Sequence, residues 1–256
     1  MERVERPAKK GLSKQQILFL GLLFLLAGMI SRGVLQNRVL QLGSTTDQKL
    51  LEAMSAPATM VAATAALVML ALETCAVPIF AFLLVEEYAN CKSRKTMLLY
   101  LLITAVISEV PFNYMTAGTY LDLGSRNPVV AMIIGMAVIY FFYRYGEMSF
   151  RDVLVRCLIG FAAALWSMIL NIEHGEALLI VMMVMWTLRR NKQMLTLIGG
   201  IASAACMLIS PFYIVSPMGI LPVHLHREED PEDMKILPYL VYPILLLAAG
   251  VLPIFI

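Results

Sequence analysis

The chain has 256 residues, of which 60% are apolar and 15% charged, and its mean hydropathy is +0.78. That is too oily for the surface of a soluble domain and is the composition of an integral membrane protein. A net charge of +2, spread along the length, excludes the electrostatic footprint of a nucleic-acid binder, and four separated cysteines with no CxxC pair exclude a disulfide framework.

In chain order, eight segments approach the roughly 20 mainly apolar residues that a helix needs to cross a bilayer. They are 17–35, 57–85, 97–115, 128–143, 153–170, 175–188, 194–212 and 237–256. Residues 1–16 are basic and lead into the first segment without a small-residue cleavage site, so that segment reads as a retained helix. The second is long enough to tilt, or to bend at Pro78. The sixth is short and places Glu176 at the membrane boundary. Residues 213–236, which contain HLHREEDPEDMK, read as a polar outer loop.

The basic residues orient the chain, because cytoplasmic loops are enriched in Lys and Arg. With the N-terminus inside, Arg3, Arg6, Lys9, Lys10 and Lys14 share a face with Lys92, Arg94 and Lys95, with Arg144, Arg151 and Arg156, and with Arg189, Arg190 and Lys192. Arg38, Lys49, Arg126, Arg227 and Lys235 then fall outside. The expected fold is an all-α polytopic bundle of about eight helices, a single transmembrane domain over 1–256 with both termini cytoplasmic.

Ionisable groups inside the membrane each cost roughly 2.5–3.5 kcal/mol at its centre, so they need a partner or a wet cavity. Arg32 either snorkels to the outer surface or serves as the cationic partner of Glu109 or of an anionic substrate. Glu73, near mid-helix, reads as half of a structural ion pair. Glu109 lies in SEVPFNY, where Pro111 loosens the helix, and Asn113 shares its face at a spacing of four. The corner Glu173-His174-Gly175-Glu176 places a histidine between carboxylates, either as a polar turn or as a general base. Glu86 and Glu87 sit at a helix end beside a cationic loop. His224 and His226 precede an acidic run whose spacing is unspecific, and no metal is expected. The eighteen methionines fall mostly in apolar runs as packing residues. There is no P-loop, GxSxG, HExxH or GxGxxG fingerprint.

The run from Pro78 through Phe80 and Phe82 to Glu86, with Tyr88 and Arg94, followed by Ser108-Glu109-Val110-Pro111-Phe112, resembles the signature of the TraX family of bacterial membrane proteins. Fainter matches are Asn127 with Gly135, Gly175 at the turn, and Lys235, Tyr239, Tyr242 and Pro243 opening the last helix. The resemblance implies a multi-pass acyltransferase of the bacterial cytoplasmic membrane, embedded in the lipid bilayer. Such an enzyme draws on cytoplasmic acetyl-CoA or another acyl-CoA and acetylates a protein or surface-polymer acceptor, as the family's namesake acetylates conjugative pilin.

On that footing Glu109, Glu173 and His174 are the candidate catalytic residues. Arg32, Glu86, Tyr88, Arg94, Asn113 and Tyr242 are the candidate substrate-binding residues, with Lys92, Arg94 and Lys95 as a basic rim for phosphates. The chain departs from the family where an Asp-His pair of the first helix aligns with Ser31 and Arg32, where an arginine aligns with Thr74, where an Asp-Tyr aligns with Glu173 and His174, and where a late histidine aligns with Leu245. Two outcomes stay open: His174 or Glu109 has taken over as base, or the chain keeps the fold as a non-catalytic membrane protein, such as a small transporter or an assembly partner.

Overall fold

The computed structural model describes residues 11–42, 47–122, 124–147, 149–227 and 236–251. Everything regular among them is helical. The elements are α1 (Lys14–Ile30), continued by a π-helix (Ser31–Val39), then α2 (Asp47–Ser55), α3 (Met60–Glu73), α4 (Ala76–Asn90), α5 (Arg94–Ala117) and α6 (Val129–Arg144). They are followed by α7 (Phe150–Ile169), α8 (Gly175–Leu188), α9 (Lys192–Ala205), a 3-10 turn (Cys206–Leu208), a 3-10 helix (Pro211–Gly219), α10 (Ile220–His224) and α11 (Leu237–Val251).

The chain is a membrane protein. Lys14–Val39, Met60–Asn90, Arg94–Ala117 and Phe150–Ile169 are long and apolar enough to cross a membrane, and Val129–Arg144, Gly175–Leu188, Lys192–Leu208 and Pro238–Gly250 are shorter apolar helices. Local chemistry starts several of them. Ser13 accepts from the Gln16 amide while Gln16 reaches back to the Ser13 amide, and Ser93, Ser149 and Asn191 cap α5, α7 and α9 in the same sense. Gly118 ends α5 at φ +69, a left-handed position that only glycine takes without strain.

Two ends of the bundle are defined by contacts. At one, Lys14 pairs with Glu87, Lys192 Nζ donates to the His226 carbonyl at 2.6 Å, and Tyr100 packs on Tyr239. At the other, Asn37 Nδ2 donates to the Met115 carbonyl at 2.9 Å, and Gly33 lies against Ala249. The first end is the basic one.

All eight apolar helices of the sequence reading are present, and the structure adds one more pass. The 3-10 helix and α10 carry the chain back from the end of α9 to the basic end, where His226 pairs in a parallel bridge with Leu12. A 3-10 helix rises about 2.0 Å per residue and an α-helix 1.5 Å, so nine residues of one and five of the other reach roughly 25 Å, close to a bilayer's hydrocarbon thickness. This corrects the expectation of a polar outer loop over 213–236. Residues 213–224 are a packed return segment, and His224, His226 and Arg227 lie at the basic end; residues 228–235, with the acidic run and Lys235, lie outside the described residues. It also means that α11 starts at the basic end and finishes at the opposite one, so the two ends of the described chain do not share a face. The pass was hidden because Pro211, Pro217 and Pro222 break the α-helical pattern, while the stretched 3-10 geometry needs fewer residues than the usual span.

Reporter fusions test the extra pass. A topology reporter inserted after residue 227 is expected on the same face as one after residue 92 and opposite one after residue 38; a reporter at 227 that sides with 38 contradicts the return segment.

Candidate functional site

The site is built on a break in the second pass. Pro78 has no N–H, which releases the Thr74 carbonyl four residues back from the α-helical ladder. Ser216 Oγ donates to that carbonyl at 3.0 Å, and the Thr74 hydroxyl donates to Ala71 O at 2.7 Å and to Phe212 O at 3.2 Å. The 3-10 helix thus seals the break. Gly219 lies so close to the Cys75 carbonyl that any Cβ there would collide with it. Glu73, the last residue of α3, is left facing α1, where Gly28 makes room for it; a Cβ on Gly28 would overlap the Glu73 carboxyl group.

Arg32, on the first turn of the π-helix, grips that carboxylate with both ends of its fork, Nη1 to Oε1 at 2.8 Å and Nη2 to Oε2 at 2.7 Å. Nη2 also pairs with Glu173. π-helical turns are rare and recur at functional sites. His174 completes the group, with Nε2 3.7 Å from Glu73 Oε2 and Nδ1 2.6 Å from the Tyr213 hydroxyl. Its backbone is left-handed at φ +56, an uncommon conformation for a residue with a side chain. The corner is held there from the loop before α6. Glu173 N donates to Arg126 O and Arg126 N to Asn171 O, both at 3.0 Å, and Asn171 Nδ2 donates to the Gly124 carbonyl. Burial alone lowers the basicity of the His174 ring, but the Glu73 and Glu173 carboxylates outweigh it, and the ring's pKa is raised above its usual value. Glu73, Glu173 and His174 offer ligand atoms within 4.8 Å of one another, as a metal site would. The Arg32 guanidinium already stands between those carboxylates and supplies the positive charge.

A cavity of about 440 Å³ leads to this cluster. At its mouth are Lys14, Glu86, Glu87, Asn90, His226 and Arg227; its middle is walled by leucines of α1, α4 and α5; its inner end is Glu73, His174 and Tyr242. Glu73 and Glu86 lie on one pass, so at 1.5 Å per residue the two ends are roughly 20 Å apart. Arg32 and Glu173 do not line the cavity, yet keep 17% and 18% of their side-chain surface accessible. Within the cluster, Glu73 and His174 thus line the cavity, and Arg32 and Glu173 do not.

Of the residues singled out in the sequence, Arg32, Glu173 and His174 come together. Tyr242 lines the same cavity within electrostatic reach of Glu73 and Arg32, and Glu86 is at the mouth, accepting from Asn90 Nδ2 at 2.7 Å. Glu109 does not line the cavity. It is held by Arg126 Nη1 at 2.9 Å and Asn127 Nδ2 at 2.5 Å, so the partner of Arg32 is Glu73 and not Glu109. Asn113, expected to bond Glu109, is 1% exposed with no hydrogen-bond partner among the described residues. Loop donors, one of them charged, displaced the neighbour one turn away. Tyr88 and Arg94 turn from the cavity: the Arg94 guanidinium lies 4.7 Å over Tyr88 and 5.3 Å over Tyr143, and Tyr88 packs edge-on to Trp186. The mouth takes its cations from Lys14 and Arg227, in place of the expected rim at Lys92, Arg94 and Lys95. Tyr213 was missed, while His226 was singled out only as half of an unspecific His-x-His pair and is found at the cavity mouth.

The TraX protein family matches residues 47–253. The chain belongs to the TraX family. No curated protein and no solved structure matches it. The TraX match spans Glu73, Glu173, His174, Tyr213 and Tyr242, while Arg32 and Gly28 precede it.

Breaking a buried pair by removing one partner costs about 3–5 kcal/mol, because the other charge stays buried. Arg32→Ala is therefore expected to destabilise the protein by about that amount in detergent unfolding, with Arg32→Met/Glu73→Met recovering most of it. A loss under about 0.5 kcal/mol in Arg32→Ala contradicts the pairing.

Proposed function

We propose that this TraX-family chain is an acyltransferase that moves an acyl group across the bacterial cytoplasmic membrane to an acceptor on the far side. The observation that carries the reading is the cavity that runs from a charged mouth at the basic end to the Glu73–His174 wall. The positive-inside rule puts the basic end in the cytoplasm, where acetyl-CoA or another acyl-CoA is the donor. The thioester is drawn to the inner end of the cavity, and the acceptor, an amine or hydroxyl of a protein or surface polymer, approaches past Arg32 and Glu173.

His174 is the base in this scheme. In the tautomer that leaves Nε2 free, Nδ1–H donates to the Tyr213 hydroxyl oxygen, which fixes the ring. The acceptor nitrogen or oxygen attacks the thioester carbonyl, its proton passes to His174 Nε2, and the resulting imidazolium is balanced by Glu73. The Tyr242 hydroxyl, at the same end of the cavity, donates to the oxyanion. Collapse breaks the C–S bond and returns the proton to the departing thiolate, giving free CoA and an amide or ester. Arg32 and Glu173 hold the geometry.

The test uses the full chain in lipid vesicles with labelled acetyl-CoA and a membrane fraction as the source of acceptor. Label is expected to pass to the acceptor, His174→Gln to lower the rate by roughly 10²–10⁴-fold, and Glu109→Gln, outside the cavity, to keep most of it. Absence of transfer by a folded wild-type protein leaves the chain as a non-catalytic membrane component, and an unchanged rate in His174→Gln removes that residue from the chemistry.

A further inference from the structure

The basic end of the bundle carries a guanidinium that the acyl-transfer scheme does not use. Arg94 is the first residue of α5, a helix long and apolar enough to cross a membrane, so its charged head stands at the level of the lipid headgroups. Ser93 fixes that helix start by accepting from the Thr96 amide. The Arg94 guanidinium is held against two rings, 4.7 Å over Tyr88 and 5.3 Å over Tyr143.

The rings are themselves fixed. Tyr88 is buried and packs edge-on to the buried Trp186 with centroids 5.6 Å apart, and Trp186 is covered in turn by the Arg189 guanidinium at 3.7 Å. Side chains of α4, α5, α6 and α8 meet in this stack. Arg189 donates to the Trp186 carbonyl at 2.8 Å, whereas Arg94, among the described residues, makes its ring contacts alone, with no carboxylate or carbonyl on its N–H groups. Glu86 and Glu87, the acids at the end of α4, line the cavity, which Arg94 does not, and Glu87 is paired with Lys14. The stack thus holds a planar five-donor fork in place and leaves its edge without an acceptor.

The surface beside the guanidinium selects the ligand. Leu98 and Leu102 follow Arg94 by one and two turns on the same side of α5 and are exposed, and the exposed Tyr140 stands one turn before Tyr143 on α6. An apolar stripe therefore runs into the membrane from the guanidinium, as an acyl chain runs from its headgroup. A soluble anion would use the guanidinium and not the stripe; a phospholipid uses both. Arginine pairs with phosphate through two parallel N–H bonds, and a guanidinium without a counter-charge favours a lipid whose phosphate has no ammonium of its own. We infer that Arg94, held by Tyr88 and Tyr143, binds the phosphate of an anionic phospholipid in the leaflet at the basic end, with an acyl chain along Leu98, Leu102 and Tyr140. This site is separate from the acyl-transfer cavity and does not depend on that reading.

Native mass spectrometry of the full chain in detergent, titrated with phosphatidylglycerol or phosphatidylcholine, tests the site. Wild type is expected to retain one phosphatidylglycerol about tenfold more tightly than phosphatidylcholine, Arg94→Gln to bring the two close to equal, and Tyr143→Leu to lower the preference about threefold. Arg151→Gln, which removes a cation on α7 outside the site, is expected to leave the preference within about twofold of wild type. No preference in wild type, or an unchanged preference in either site variant, overturns the site. An equal loss in Arg151→Gln also overturns it, because the effect is then the general attraction of a basic face for anionic lipid. Coenzyme A is expected to leave the bound lipid in place, and release of the lipid by coenzyme A overturns phospholipid as the occupant.

Discussion

The Arg32–Glu73 pair governs the rest of this structure. Two opposite charges taken from water into a bundle of apolar helices are tolerable only when each satisfies the other with good geometry. Every neighbouring feature serves that geometry. Gly28 removes the side chain that would occupy the carboxylate's place, the π-helix presents the guanidinium, and the break before Pro78 ends α3 at the residue that has to turn inward. Glu173 takes the remaining edge of the arginine, and His174 follows because the corner that carries one carries the other.

Prolines do the positioning. Each removes a helical donor and releases a carbonyl, and this chain reuses the released groups as contacts between passes. Pro78 frees Thr74 O for Ser216, and Pro243 frees Tyr239 O, which the Thr104 hydroxyl approaches at 3.4 Å while donating to its own helix at Tyr100 O, 2.8 Å away. The first contact holds the return segment against the second pass, where Tyr213 meets His174; the second lies between α5 and α11, whose Tyr242 lines the same cavity. A protein of mainly apolar helices gains little from hydrophobic burial between them, so these few polar contacts carry much of the specificity of assembly.

The sequence made legible what depends on hydrophobic length and on charge: the eight apolar helices, the membrane setting, the family, and the intramembrane residues Arg32, Glu73 and Glu109. It did not disclose who pairs with whom. Glu109 was the carboxylate offered to Arg32 and Glu73 was left with no named partner; the pairing was decided by Gly28 on one side and by the Arg126–Asn127 loop on the other, contacts that sequence spacing does not reveal. The return segment escaped because a 3-10 helix with two prolines, followed by a short α-helix with a third, has neither the length nor the period of a membrane α-helix. With it went the placement of His226, which the fold sets beside Leu12 and Glu86.

The central claim is that the Arg32–Glu73–Glu173–His174 cluster is the wall that closes the inner end of a cavity open at the basic end. Val77 lines that cavity one turn from Glu73. In sealed vesicles of known orientation, with the native cysteines replaced, Val77→Cys should react with a membrane-impermeant thiol reagent from the basic face alone, and from both faces once Arg32→Ala is added. Reaction from the opposite face while the cluster is intact, or none from the basic face, would contradict the account.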